Sequence, residues 1–149
     1  MIWRLVRDCA ELDDNSFYAY YVLCSRFSAT CAVAEQEGRV VGFALAFLGP
    51  DDPDVCFVWQ LYVVPGERGA GFATDLLDYL VSSQPRPPLF VEATVAPGNT
   101  ASRRAFQALA RRFRAEVAES PCLSSADFPD SAEEHAAEDM LRIGPLRQS

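Results

Sequence analysis

The feature that most constrains this chain is a strand, a glycine-rich turn and a helix in direct succession. An apolar run from Val55 to Val64 ends at Pro65, and Gly66-Glu67-Arg68-Gly69-Ala70-Gly71-Phe72-Ala73 then leads into a helix that ends near Ser82. Glycines let the backbone turn sharply and point successive N–H groups into one concavity, to which the helix N-terminus adds its dipole. The segment therefore favours binding of a diphosphate group, and an ordinary strand-to-helix turn is the alternative interpretation.

The rest of the apolar periodicity predicts a mixed α/β or α+β fold. Helices are expected over 2–9, 17–27 and 97–114, and strands over 30–35, 39–47, 89–95 and 138–143. The stretch from Ala118 to Ala137 is polar and contains proline, and we predict that it is rich in loops. Without repeats or a linker, residues 1–149 are expected to form a single domain, a sheet with helices on its faces.

The charged residues exclude several kinds of chemistry. All 13 basic residues are arginine, so mechanisms that need a lysine amine, such as Schiff-base or Walker-lysine chemistry, are ruled out. Twenty-one acidic residues give a net charge of −8, which argues against nucleic acid as a partner. The same acidity is compatible with a cationic small substrate.

Cysteine and histidine usage indicates neither disulfides nor a metal. The five cysteines form no Cys-x-x-Cys pair, and His135 is the single histidine. The longest nearly continuous apolar run, Val40 to Leu48, is too short to span a bilayer, which needs about 20 residues. We therefore predict a cytoplasmic protein with neither a metal ion nor a membrane segment.

The glycine-rich turn and a later helix together resemble the GNAT acetyltransferase superfamily. Its coenzyme A signature, Arg/Gln-x-x-Gly-x-Gly/Ala, is matched by Arg68, Gly71 and Ala73. A second element, Asn-x-x-Ala/Ser followed by an aromatic residue, is matched by Asn99, Ser102 and Phe106. The resemblance implies a mostly antiparallel twisted sheet, here without its first edge strand, and acetyl-CoA as cosubstrate.

The same resemblance assigns a set of cofactor-binding residues. They are Leu61, Val63, Arg68, Gly69, Ala70, Gly71, Phe72, Ala73, Asn99, Ser102 and Arg103. A backbone N–H within 61–63 is implied to hold the acetyl carbonyl oxygen. The arginines of the helix predicted over 97–114 lie on one side of that helix. This side is either a solvated face or a site where Arg103 or Arg104 contacts a cofactor phosphate.

One position departs from the superfamily pattern. Many members carry a tyrosine where Phe106 stands, and that tyrosine donates a proton to the leaving thiolate. Phenylalanine cannot donate one. A thiol with a pKa near ~8.5 can leave largely as thiolate, so the chemistry does not require this donor.

Longer segments resemble the diaminobutyrate acetyltransferases of ectoine biosynthesis. They are residues 12–20, 57–60, 91–95, 99–103 and 138–146. This resemblance implies a homodimer that transfers acetyl to the γ-amine of L-2,4-diaminobutyrate. Another GNAT amine substrate and a non-catalytic acyl-CoA-binding module are the alternatives.

Three acids in those segments suit a substrate with two ammonium groups. Asp13, which we also include among the catalytic candidates, is predicted to recognise an ammonium group or to cap the helix that follows it, and one carboxylate can do both. Glu92 lies in an apolar strand, where burial would favour a general base; the alternative is a structural acid paired with an arginine. Glu138 is assigned to the substrate pocket by the resemblance.

The same resemblance implies that three further residues belong to the substrate pocket. Tyr18 lies off the main apolar stripe of its helix and is free to enter a cleft, and we include it among the catalytic candidates. Trp59 is either a pocket wall or core. His135 is a base, a hydrogen-bond donor or a loop residue. No cysteine lies beside a histidine and an acid in the sequence, which favours direct acetyl transfer over an acetyl-cysteine relay.

Overall fold

A six-stranded mixed sheet organises the chain. The computed structural model describes residues 2–7, 15–128 and 136–147. The strands are β1 (Cys31–Gln36), β2 (Arg39–Leu48), β3 (Val55–Val63), β4 (Phe90–Val95), β5 (Glu116–Leu123) and β6 (Glu138–Gly144). Their order is β1-β2-β3-β4-β6-β5, and β3–β4 is the one parallel pair in this sheet. The predicted mixed, mostly antiparallel sheet is confirmed. In the described part of the chain no strand precedes the first helix. Strand β1 therefore forms one edge of the sheet.

Helices cover both faces of the sheet. The helices α1 (Ile2–Arg7) and α2 (Phe17–Arg26) pack on one face, against Phe43, Leu45 and Tyr62. The helices α3 (Phe72–Ser82) and α4 (Thr100–Arg112) pack on the other, against a larger core. The amphipathic stripes predicted for α3 and α4 form this core, which includes Leu76, Leu77, Leu80, Phe106 and Leu109.

The parallel strands β3 and β4 separate after a short paired stretch. Pairing runs from Val55 with Phe90 to Phe57 with Glu92, and both strands continue beyond it without pairing. On its other side β3 has a bulge, since Ala46 lies opposite Val58 while Leu45 lies opposite Gln60. The separation opens a wedge between the carboxyl ends of the two strands.

The prediction of a loop-rich stretch from Ala118 was wrong at its beginning. Strand β5 pairs with β6 along Glu116–Leu123 and forms the second edge of the sheet. All eight of its residues are exposed, so the alternating apolar pattern that marks a strand is missing. An edge strand also tolerates Pro121, because one of its sides needs no hydrogen-bond donors.

Gly144, the last residue of β6, provides a test of packing at the base of the sheet. A Cβ atom there would lie 2.7 Å from the carbonyl oxygen of Leu89 and would overlap the Phe90 ring. We expect Gly144→Ala to lower the free energy of unfolding by roughly 1–3 kcal/mol, measured by urea denaturation. Gly98→Ala is the control because no atom lies within 4 Å of its added carbon. Equal stability of the two variants would contradict the packing described here.

Candidate active site

A cavity of about 800 Å³ occupies the wedge between β3 and β4. It is bounded by the end of β3, the glycine-rich turn, and the first turn of α4. Its lining residues are Leu61, Tyr62, Val63, Glu67, Arg68, Gly69, Gly71, Phe72, Ala73, Thr74, Ala96, Asn99, Ala101, Ser102, Arg104 and Ala105. Most residues assigned to the cofactor from sequence therefore line one cavity.

The glycine-rich turn presents backbone N–H groups to this cavity. Gly69 and Gly71 have φ of 88° and 96°, in the left-handed region that favours glycine. Gly71 caps α3 without a side-chain hydrogen bond, so the N–H groups of the first helical turn are available to a ligand. A helix N-terminus with unpaired N–H groups and a partial positive charge is suited to a diphosphate.

Two arginines give the cavity wall positive charge. The Nε atom of Arg68 donates to the carbonyl oxygen of Val63 at 3.0 Å, and its guanidinium lies 5.9 Å from the centre of the Tyr62 ring. These contacts hold the Arg68 side chain at the end of β3. Arg104, on α4, lines the opposite side of the cavity.

Three of the predicted cofactor residues lie at the N-terminus of α4, and two of them line the cavity. Asn99 Oδ1 accepts a hydrogen bond from the Ser102 amide at 3.1 Å, so Asn99 caps the helix and fixes Ser102 at the cavity. The expectation for Arg103 needs correction. Its guanidinium bonds Glu119 at 2.5 Å and Asp139 at 3.0 Å, and it does not line the cavity. Ala70 is also absent from the lining.

Candidate substrate residues lie on the face of the sheet that α1 and α2 cover. Val58 belongs to the opposite core, so alternation places Trp59 on this face, where its ring packs 5.4 Å from that of Tyr20. On β6, Leu141 belongs to the opposite core, so alternation places Glu138 on the same face as Trp59. Glu138 lies one residue beyond the Val95–Asp139 pair, at the level of the cavity residue Ala96.

The side chain of Glu138 is half-buried, and no hydrogen bond or ion pair joins it to another residue that the structure describes. The register of β4 and β6 therefore places Glu138 at the mouth of the wedge. Tyr18 is 69% exposed on α2, with its ring 6.0 Å from that of Tyr21. Asp13 and His135 lie outside the described residues.

Glu92 occupies a different environment. Its carboxylate forms an ion pair with Arg142, whose guanidinium lies 4.0 Å from the centre of the Phe90 ring. Both charged residues line a second cavity of about 350 Å³ beside the 49–52 loop, away from the glycine-rich turn. This geometry agrees with the sequence-based alternative of a structural acid paired with an arginine.

Comparison with known proteins decides the family. The acetyltransferase (GNAT) family model matches residues 1–110 of this chain. The chain belongs to the GNAT acetyltransferase family. Acetyl-CoA is therefore the cosubstrate of this chain.

Similar proteins cover nearly the whole GNAT chain. The L-2,4-diaminobutyric acid acetyltransferase of Nocardia farcinica is 44% identical over 99% of this chain and 75% of its own length. That of Halalkalibacterium halodurans is 44% identical over 97% of this chain and 76% of its own. The diaminobutyrate acetyltransferase of Paenibacillus lautus, solved with L-2,4-diaminobutyric acid and coenzyme A, superposes with a TM-score of 0.91 at 37% identity, covering 99% and 89% of the two chains.

Sequence reasoning missed several residues of this GNAT cavity. Thr74 and Ala101 line it from the first turns of α3 and α4, and Glu67 lines it from the turn. The sequence did contain a signal for Thr74 and Ala101. Both lie in the first turn of a helix that follows a binding loop, and residues there face the ligand.

Other classes of site find no support in the described ranges. Within 2–7, 15–128 and 136–147, no group of three or more histidine, cysteine or acidic residues could hold a metal ion. No helix in those ranges is long and apolar enough to cross a bilayer.

The described cysteines are poorly placed to carry an acetyl group. Cys24, Cys31, Cys56 and Cys122 all lie away from the residues that line the GNAT cavity. Burial raises the pKa of the Cys56 thiol to about 12 and also raises the pKa of Cys24 and Cys31. A thiol with so high a pKa holds almost no thiolate, the nucleophilic form, near neutral pH.

We expect alkylation of the exposed cysteines to leave most of the acetyl-transfer activity intact. At pH 7.5 iodoacetamide should modify the exposed Cys122 long before Cys56, and acetyl transfer should continue at more than half its initial rate. Peptide mass spectrometry measures the modification and thiol release measures the activity. Loss of activity in step with modification of a single cysteine would contradict direct transfer.

Proposed function

We propose that this protein transfers the acetyl group of acetyl-CoA to the γ-amine of L-2,4-diaminobutyrate, giving the N-γ-acetyl product used in ectoine biosynthesis. The main observation in support is that this chain superposes, over nearly its whole length, on an enzyme solved with diaminobutyric acid and coenzyme A. The substrate class also fits the chain's net charge of −8 and a half-buried carboxylate at the cavity mouth.

The residues of the wedge fit acetyl-CoA. The N–H groups at the start of α3 suit its diphosphate, and Arg68 and Arg104 add positive charge on either side. Two glycines of the turn, Gly66 and Gly69, have no atom within 4 Å of an added Cβ, so this part of the turn is open to a ligand. When bound, acetyl-CoA supplies an acetyl thioester, and an N–H group within 61–63 would donate to its carbonyl oxygen.

On the amine side, we assign the recognition of the reacting ammonium to Glu138. Only a neutral amine attacks a thioester, so the site must accept a proton from a group with a pKa near ~10. Glu138 is the described acid that has no ion-pair partner and lies beside the end of β4. Trp59 and Tyr18 would wall the same site, and Asp13 and His135 remain proposed substrate contacts.

Phe106 indicates how the thiolate leaves. Its side chain points from α4 into the core, where it is 2% exposed, and it cannot donate a proton. The leaving sulfur would depart as thiolate, which its ordinary pKa near ~8.5 permits. The chain therefore needs one proton acceptor for the amine and no dedicated acid.

A substrate panel tests the proposal. Release of free coenzyme A would be followed with diaminobutyrate, ornithine, lysine, spermidine and a peptide, each with acetyl-CoA. We expect the highest kcat/KM with diaminobutyrate. A higher value with ornithine or spermidine would assign a different amine, and no turnover with any of them would indicate an acyl-CoA-binding module.

We also propose that the chain acts as a single-domain, cytoplasmic homodimer. One continuous sheet with a core on each face supports a single domain. Exposed aromatic side chains on α2, Phe17 and Tyr21, offer apolar surface for a second copy. Light scattering should give a mass near twice that of one chain.

A further inference from the structure

Two buried polar atoms near the substrate face have no protein partner. The hydroxyl of Tyr20 and the side-chain carbonyl oxygen of Gln60 are both inaccessible and make no hydrogen bond with the residues that the structure describes. Tyr20 is 3% exposed, although its helix leaves Phe17, Tyr18 and Tyr21 open to solvent. Neither residue belongs to the cofactor motifs.

The fold brings these two residues into one layer. The bulge in β3 turns Gln60 to the same face as Trp59, opposite Leu45 on β2. Tyr20 reaches down from α2 onto Trp59 and packs in the cluster that contains Leu45. Gln60 directly precedes Leu61, the first strand residue of the acetyl-CoA cavity. Gln60 therefore lies on β3 just before the wedge begins, and Tyr20 lies on the same face through its contact with Trp59.

Chemistry favours a ligand for these atoms. A buried polar atom without a partner typically costs stability, whereas Phe at position 20 and an apolar side chain at position 60 would carry no such cost. The Gln60 oxygen only accepts hydrogen bonds, and the Tyr20 hydroxyl can donate one. An α-amino acid presents the matching pair on one carbon, an ammonium that donates and a carboxylate that accepts.

We propose that Gln60 and Tyr20 bind the α-amino-acid end of the substrate, with Gln60 accepting from the α-ammonium and Tyr20 donating to the carboxylate. This inference rests on the proposed function and assigns specificity to that site. It leaves the γ-amine as the end that faces Glu138 and the cavity. The Tyr20 hydroxyl would select diamino acids over plain diamines, because it binds the carboxylate that diamines lack.

Tyr20→Phe tests the hydroxyl alone. We expect KM for diaminobutyrate to rise about tenfold, which corresponds to one lost hydrogen bond to a charged group. KM for acetyl-CoA should stay within twofold, and so should kcat/KM for 1,3-diaminopropane, which is diaminobutyrate without its carboxylate. The Tm should not fall, because the hydroxyl has no partner in the free protein.

Gln60→Met tests the acceptor, since it keeps the length of the side chain without the amide. It should weaken diaminobutyrate and 1,3-diaminopropane alike, by about tenfold in kcat/KM, because both carry the second ammonium. Tyr79→Phe is the matched control, as Tyr79 is 58% exposed on α3 and lines no cavity described above. Its kinetic constants should equal those of the starting protein.

The outcomes separate the two claims. If the unaltered protein acetylates diaminobutyrate and Tyr20→Phe leaves KM unchanged, the assignment of Tyr20 is wrong while the proposed function stands. A lower Tm for Tyr20→Phe would mean that the hydroxyl stabilises the fold, and would also overturn the assignment. No turnover of diaminobutyrate by the unaltered protein would instead contradict the proposed function.

Discussion

Replacing Glu138 with glutamine is expected to lower kcat/KM for diaminobutyrate by about a hundredfold near neutral pH, the lower end of what a general base contributes. Glutamine keeps the size and the acceptor oxygen of the side chain but cannot take a proton from the amine. Part of the activity should return as the pH rises toward the pKa of the free amine, near ~10, because solvent then deprotonates the substrate. The pH dependence of kcat/KM measures both effects.

Glu92→Gln is the matched control for this prediction. Its carboxylate is engaged with Arg142, so removing the charge leaves a partly buried guanidinium without its partner. We expect a lower Tm, less than tenfold loss of kcat/KM, and an unchanged pH profile. The reverse pattern, with Glu92→Gln inactive at neutral pH and Glu138→Gln fully active, would return the role of base to Glu92.

Gly71→Val is expected to raise KM for acetyl-CoA by roughly 10- to 100-fold. Gly71 has a φ of 96°, and holding a β-branched residue in a left-handed conformation costs on the order of 1–3 kcal/mol. The turn would relax and move the first N–H groups of α3 away from the diphosphate. Since an added Cβ meets only Asp75 Oδ2, at 3.9 Å, the effect comes from backbone conformation and not from a steric clash.

Two variants make the cause of that effect visible. Gly71→Asn should bind acetyl-CoA better than Gly71→Val, because asparagine adopts the left-handed region more readily. Gly49→Ala should behave as the starting protein, since its Cβ would make only ordinary contacts with Asp52. Isothermal titration with coenzyme A measures all three affinities. Equal binding by Gly71→Val and Gly49→Ala would contradict the role of the turn.

Local sequence signals were sufficient to group most of the residues that line the cavity between β3 and β4. The glycines between β3 and α3 and the Asn99 cap of α4 each determine backbone geometry within a few residues, so their placement follows without tertiary information. The burial of Phe106 and Leu109 follows likewise from helical spacing.

Errors arose where side chains depend on distant partners. Strand β5 has no apolar alternation, so it was missed, and with it Glu119, which binds Arg103. Without that partner, Arg103 and Arg104 looked equivalent on the helix surface. The pairing of Glu92 with Arg142 depends on the register between β4 and β6, which residue identity does not encode. The bulge that turns Gln60 toward α2 is unpredictable for the same reason.

The position of the acetyl group in the product tests the central claim most directly. After incubation with acetyl-CoA and L-2,4-diaminobutyrate, the product would be examined by proton NMR and the released coenzyme A counted. We predict one coenzyme A per molecule of product, with the methylene next to the γ-nitrogen shifted and the α-proton still beside a free ammonium group. A product acetylated at the α-nitrogen, or no product from diaminobutyrate while another amine is acetylated, would contradict the account.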